Sequence, residues 1–191
     1  MKKVVKWVQR ILLGLASIVL LLVIVLAVLV YYDSVTAERP DEFTNVSYTG
    51  LDGQVLNGYL VEPSDSGSHP AVLLIHEWWG LNHGITVLAD ALAAEGYVVL
   101  APDVYRNRLT TSVPRALWMR LTTPEEQVFA DVDAALGYLL NHENVDTSKV
   151  ATMGFCFGGG HSLQLGMRQS ENLALTIIYY GAVVTNPELL R

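Results

Sequence analysis

Hydrophobic and polar positions alternate in different ways along this chain. Residues 11–30 (ILLGLASIVLLLVIVLAVLV) carry no charge, and only Gly14 and Ser17 fall outside the strongly apolar set. At about 1.5 Å per residue, twenty helical residues span roughly 30 Å, the thickness of a bilayer's hydrocarbon core. From 33 to 45 the sequence turns polar (DSVTAERPDEFTN) and reads as a tether. Residues 46–48 and 54–61 then flank Asp52-Gly53, a tight-turn dipeptide between two strands. Residues 64–70 (SDSGSHP) have loop composition, and the continuous apolar run 71–75 suits a parallel strand covered on both faces.

Strands and helices alternate after that point. A helical pattern over 87–94 ends at Gly96, a C-terminal cap, and 97–100 is the next strand. Thr123-Pro124-Glu125-Glu126 has the residues of an N-cap, a first-turn proline and a capping-box glutamate. Val128, Val132, Ala135, Leu136 and Leu139 then recur at helical spacing. Residues 149–153 read as a strand, 158–167 as a helix and 173–180 as a strand. The alternation predicts an α/β domain with a mostly parallel sheet flanked by helices. The chain therefore divides into an N-terminal membrane anchor (1–32), a tether (33–45) and an α/β domain (46–191).

Composition sharpens this picture. Of 191 residues, 51% are hydrophobic and 16% charged. Lys2, Lys3, Lys6 and Arg10 precede the apolar run, and no acidic residue lies within 1–32. The remaining 159 residues thus carry 8 basic against 19 acidic groups, a net charge of −11. Such a domain is a poor partner for nucleic acid. The apolar run is longer than the ~7–15 residues of a secretory signal's core, and Val35-Thr36-Ala37 poorly matches a cleavage site. An uncleaved anchor is the expectation and a cleaved signal the alternative. Tyr31 and Tyr32 suit the far interface, and the basic residues place the N-terminus in the cytoplasm and the domain outside it. Cys156, the single cysteine, has no internal disulfide partner and no resolving thiol. No Cys or His pair has zinc-site spacing, so neither metal nor cofactor is expected.

Candidate chemistry centres on Gly154-Phe155-Cys156-Phe157-Gly158, a G-x-C-x-G pattern between a predicted strand and helix. A nucleophile on that turn sits in strained backbone, and glycines two positions away on each side let neighbouring chain approach. The helix N-terminus favours a thiolate, and the amide after the nucleophile is placed to bind an oxyanion. His76-Glu77-Trp78-Trp79-Gly80 directly follows the strand 71–75, at the sheet edge where ligands bind. A glutamate beside two tryptophans needs a partner or a proton.

Together, LLIHEWWGLN (73–82), EGYVVLAPDVY (95–105), VATMGFCFGGG (150–160) and IIYYG (177–181) resemble the dienelactone hydrolase family of α/β-hydrolases. The resemblance runs from about residue 46 to 183. It implies that Cys156 attacks an ester or lactone carbonyl to give a thioester acyl-enzyme and that Glu77 contacts the nucleophile and helps control its protonation. It places the oxyanion hole at the backbone amides of Phe157 and Trp78. Asp103 matches a family motif read as a loop anchor. His76 is expected to be structural or pocket-shaping.

In α/β-hydrolases the acid and the histidine follow the nucleophile on later loops. Only 35 residues follow Cys156, so those positions are expected beyond Arg191, and residues 187–191 have the look of a helix beginning in an incomplete sequence. His161 is expected about 7.5 Å along its helix and facing away from the elbow, and it is not assigned as the base. Glu171 and Glu188 have no support as triad acids. Arg106, Arg108 and Arg115 are expected to be solvated surface. The expectation is a membrane-anchored hydrolase of small esters or lactones, impaired in this chain, with activated esters and enol-lactones as the better substrates. The alternative is a membrane-tethered binding module without chemistry. The oligomeric state is left open.

Overall fold

In a computed structural model, residues 2–36 and 39–186 are described. Ala37 of the cleavage-site reading, Glu188 and the predicted helix start at 187–191 lie outside the described residues. The apolar run lies within a long helix, α1 (Lys2–Thr36), whose membrane-length window is not buried against the rest of the molecule. It does not end where the tether was expected to begin. It continues past residue 33, and the side chain of Asp33 is packed against the domain. A 3-10 turn, Pro40–Phe43, follows.

Six strands form one sheet: β1 (Val46–Thr49), β2 (Val55–Val61), β3 (His69–Ile75), β4 (Val98–Pro102), β5 (Val145–Phe155) and β6 (Leu175–Tyr179). Their order is β1-β2-β4-β3-β5-β6. The β1–β2 and β2–β4 pairs are antiparallel, and β4, β3, β5 and β6 run parallel. The mostly parallel α/β architecture is the one the sequence predicts. Gly53, at φ 79°, supplies the left-handed residue between β1 and β2.

Side chains alternate across β3. Ala71, Leu73 and Ile75 join Val132, Leu136 and Leu139 of α4 (Glu125–Leu140) on one face. Val72 and Leu74 join Ile85 and Ala89 of α2 (His83–Ala94) on the other. This double coverage is why β3 reads as an uninterrupted apolar run. The strand begins at His69, two residues inside the predicted loop, because its amide donates to the Asn144 carbonyl at 2.8 Å.

Between β4 and α4 lies a helix without a sequence counterpart, α3 (Val113–Thr122). It also overturns the predicted capping box. Thr123 caps the C-terminal end of α3, and its hydroxyl donates to the Met119 carbonyl at 2.7 Å. The N-cap of α4 is Pro124, with no side-chain cap hydrogen bond.

The three arginines expected to be solvated are instead tied down. Arg106 donates to Asp131 at 2.6 Å and to Asp52 at 2.9 Å. Arg108 donates to the Tyr105 carbonyl at 3.0 Å and to Thr123 Oγ1 at 2.5 Å. Arg115 donates to Asp33 at 3.1 Å. Asp103 is a loop anchor. Its carboxylate accepts from the amides of Tyr105 (3.2 Å) and Asn107 (2.6 Å). These bonds hold Arg106 and Asn107 at φ 52° and 66°. Burial raises its pKa to about 6, against the lowering pull of the two amides.

Candidate active site

β5 ends at Phe155 and α5 (Phe157–Arg168) begins two residues later, with Cys156 as the turn between them. Cys156 has φ 52° and ψ −114°, a costly conformation for a residue with a Cβ and one that persists only where its surroundings enforce it. Those surroundings are visible. The Cys156 amide donates to the Tyr179 carbonyl at the end of β6, 3.0 Å away, and its carbonyl accepts from Gly160 at 3.2 Å. A Cβ on Gly154 would fall 2.2 Å from the Gly158 carbonyl oxygen, and a Cβ on Gly158 would fall 2.2 Å from that of Ile75. The two glycines therefore let α5 start directly against β3 and β5. Phe157 opens α5, so its amide has no acceptor inside the helix.

A cavity of about 380 Å³ opens over this turn, lined among others by Cys156, Phe157, Trp78, Arg120, His161 and Tyr180. Cys156, Phe157 and Trp78 are thus brought together. Glu77 is half-buried beside them. Its carboxylate accepts from the Tyr180 hydroxyl at 3.1 Å, and among the described residues it forms no hydrogen bond with Cys156. Trp78 and Trp79 pack edge to face at 5.1 Å.

His76 is fully buried at the end of β3. Its Nδ1 donates to the Glu77 carbonyl at 2.6 Å, while Nε2 has no hydrogen-bond partner among the described residues. The ring packs against Tyr105 at 5.2 Å and Phe157 at 6.2 Å. Desolvation lowers its pKa to about 4, against the raising effect of the Glu77 carbonyl. The imidazole is neutral and held in place.

His161 does not face away from the elbow. It lines the same cavity as Cys156 and packs edge to face on Phe157 at 4.3 Å. The cavity runs along the first turns of α5 and takes in Gly160 and Gln164 as well. Burial lowers the His161 pKa to about 4, helped by Arg120, His76 and Arg168. Its Nδ1 has no hydrogen-bond partner among the described residues.

Sequence reasoning passed over Arg120, Tyr105 and Tyr180. Arg120 lies 5.3 Å over the Phe157 ring and brings a positive charge to the cavity beside the thiol. Tyr105 is buried against Phe157 at 5.2 Å, and desolvation pushes its pKa up to about 12. Arg120 lies in α3, which no sequence pattern marks, and although Tyr105 and Tyr180 lie within the 95–105 and 177–181 motifs, nothing local in either motif shows what the ring reaches. Among the described residues no group of His, Cys, Asp and Glu is arranged to hold a metal ion.

The sheet order, with a strained residue on the strand-to-helix turn after β5, matches the α/β-hydrolase fold. The sequence model of the Dienelactone hydrolase family matches residues 56–190, and the chain belongs to that family. It is 30% identical to Protein usf of Aquifex pyrophilus over 136 residues, covering 68% of this chain and 58% of the relative. It is 31% identical over 110 residues to a Synechocystis protein named "Putative carboxymethylenebutenolidase", covering 53% of this chain and 45% of the relative. Among solved structures, a dienelactone hydrolase-like promiscuous phosphotriesterase from metagenomic libraries superimposes with a TM-score of 0.62 at 27% identity, covering 74% of this chain and 60% of that one. The chain spans about half the length of the curated relatives it matches.

Proposed function

We propose that the chain is a membrane-anchored hydrolase of carboxylic esters or lactones whose nucleophile is Cys156. The observation that carries this reading is the left-handed backbone of Cys156 on the turn between β5 and α5, at the wall of a cavity. Family membership supports the reaction class. The names of relatives, a carboxymethylenebutenolidase and a phosphotriesterase, support an activated ester or lactone as substrate.

In this reading Glu77 accepts the thiol proton, and the thiolate attacks the carbonyl carbon. A C–S bond forms as the carbonyl π pair moves onto oxygen, where the amides of Phe157 and Trp78 stabilise it. The oxyanion collapses and expels the alkoxide, which takes a proton from solvent and leaves a thioester. Water then cleaves the C–S bond, releasing the acid and restoring the thiol, and Glu77 returns its proton to the solvent that protonated the alkoxide. The helix α1 anchors the protein with its N-terminus in the cytoplasm and the domain on the other side.

Turnover by these residues is slow. A positioned imidazole is worth ~10²–10⁴-fold as a general acid and base. The imidazole–carboxylate pairs among the described residues are His69–Asp65 at 3.8 Å and His142–Glu62 at 3.4 Å. They sit where β3 and β5 begin, at the opposite edge of the sheet from Cys156. This also supports the second reading, a tethered module that binds the ester without cleaving it.

Burst kinetics with p-nitrophenyl acetate separates the two. The hydrolase reading predicts a burst of p-nitrophenolate stoichiometric with protein and absent from Cys156→Ala. Equal release from both proteins, or release from neither, contradicts it.

A further inference from the structure

We infer that the outer face of α3 docks on the lipid bilayer next to α1 and holds the candidate cavity at the membrane surface. This rests on the reading of α1 as a membrane span.

The face itself is unusual. A helix on the surface of a domain presents polar residues to water. The strongly exposed side chains of α3 are instead Val113 (56%), Leu117 (48%), Trp118 (52%) and Leu121 (75%), together with Thr122. None is charged. Val113, Leu117 and Leu121 recur every four residues and form a stripe about 12 Å long, with Trp118 beside it. The inward face is covered, with Ala116 and Met119 fully buried. The helix has two charged residues and both are turned aside, Arg115 to Asp33 and Arg120 to the Phe157 ring.

The occupant follows from what stands next to this face. Asp33, one residue past the exposed pair Tyr31 and Tyr32, is only 8% exposed. Its carboxylate accepts from the Thr110 hydroxyl just before α3 and from Arg115 within it. The end of the apolar helix is thereby fastened to α3 where the membrane interface begins. Tyrosine, tryptophan and leucine are the side chains that settle at that depth. A bilayer that receives the span of α1 meets the α3 face by continuity. Arg120 also lines the cavity, so one helix, about 10 Å thick, separates lipid from the candidate site. Esters and lactones that partition into the bilayer surface would reach it without crossing bulk water.

Spin labels on the full chain in phosphatidylcholine–phosphatidylglycerol vesicles test this, with Cys156→Ser removing the native thiol. Labels go in turn on Trp118→Cys, Leu121→Cys, Val23→Cys in α1 and Ser66→Cys, which is exposed in the loop before β3 at the other edge of the sheet. Collision rates with oxygen, which enters lipid, and with a water-soluble nickel chelate give the depth of each label. Positions 118 and 121 should show several-fold fewer nickel collisions than position 66, with oxygen access retained. Lipid contact at Val23 with water contact at both 118 and 121 overturns the docking and leaves the anchor standing. Water contact at Val23 removes the anchor and the docking with it. Low collision rates with both reagents at 118 and 121 mean a protein partner covers the face, which also overturns a lipid occupant.

Discussion

Gly158 passes so close to Ile75 that a Cβ on the glycine would stand 2.2 Å from the Ile75 carbonyl oxygen. The obstacle is backbone of a central strand and cannot swing away. Gly158→Ala should therefore destabilise the fold by at least about 1–3 kcal/mol, the range for overpacking a core. A Cβ on Gly137, inside α4, would meet nothing within 4 Å, and Gly137→Ala should stabilise by about 0.5–1 kcal/mol. Urea midpoints of the two variants should move in opposite directions.

Glu77→Gln separates the proton-accepting role from the contact with Tyr180. An amide oxygen still accepts from the Tyr180 hydroxyl, so the unfolding midpoint should stay within about 0.5 kcal/mol of the parent. Acylation of Cys156 by an activated ester should fall ~10²–10⁴-fold. Stopped-flow measurement of the burst phase gives the rate, and an unchanged rate removes Glu77 from the chemistry.

Arg106 holds Asp131, which is only 2% exposed. Arg106→Ala leaves that carboxylate buried without its cation and should cost about 3–5 kcal/mol in a urea titration. Lys149 pairs with Asp146 at 2.8 Å but is 65% exposed, and Lys149→Ala should fall within about 0.5 kcal/mol of the parent.

The pH dependence of stability has opposing parts. His76 and His161 have folded pKa values near 4, below the ordinary 6.5. Between those values the unfolded chain binds more protons, so stability rises with pH from about 4 to 6.5. Asp103 has a folded pKa near 6, above its ordinary 3.8. Here the folded chain holds the extra proton, and stability falls as pH rises from about 4 to 6. Two histidines outweigh one aspartate, so the protein should be more stable at pH 7 than at pH 5. Asp103→Asn should steepen the rise between pH 4 and 6, and denaturation curves across that range read both slopes.

The parts legible in the sequence are those fixed by local repetition. Val72 and Leu74 on one face of β3 and Leu73 and Ile75 on the other make an apolar run that reads as a covered strand. The glycines at 154 and 158 mark the elbow because backbone approaches there in any turn of that shape. What escaped depends on distant partners or on an inverted pattern. Arg106 looks solvated until Asp131, 25 residues on, comes alongside. Tyr180 meets Glu77 across 103 residues of sequence. α3 lacks a polar outer face, so its periodicity does not register as a surface helix. Thr123 has the chemistry of an N-cap but spends its hydroxyl on the preceding helix. For His161, helical geometry gives a direction from the elbow, whereas the shape of the cavity decides what the ring reaches.

The central claim is covalent chemistry at Cys156, and the most direct measurement is peptide mass spectrometry after rapid mixing with p-nitrophenyl acetate and acid quenching. The account predicts one acetyl group on the peptide containing Cys156, lost on treatment with hydroxylamine. An unmodified Cys156 in protein that has released p-nitrophenolate would contradict it.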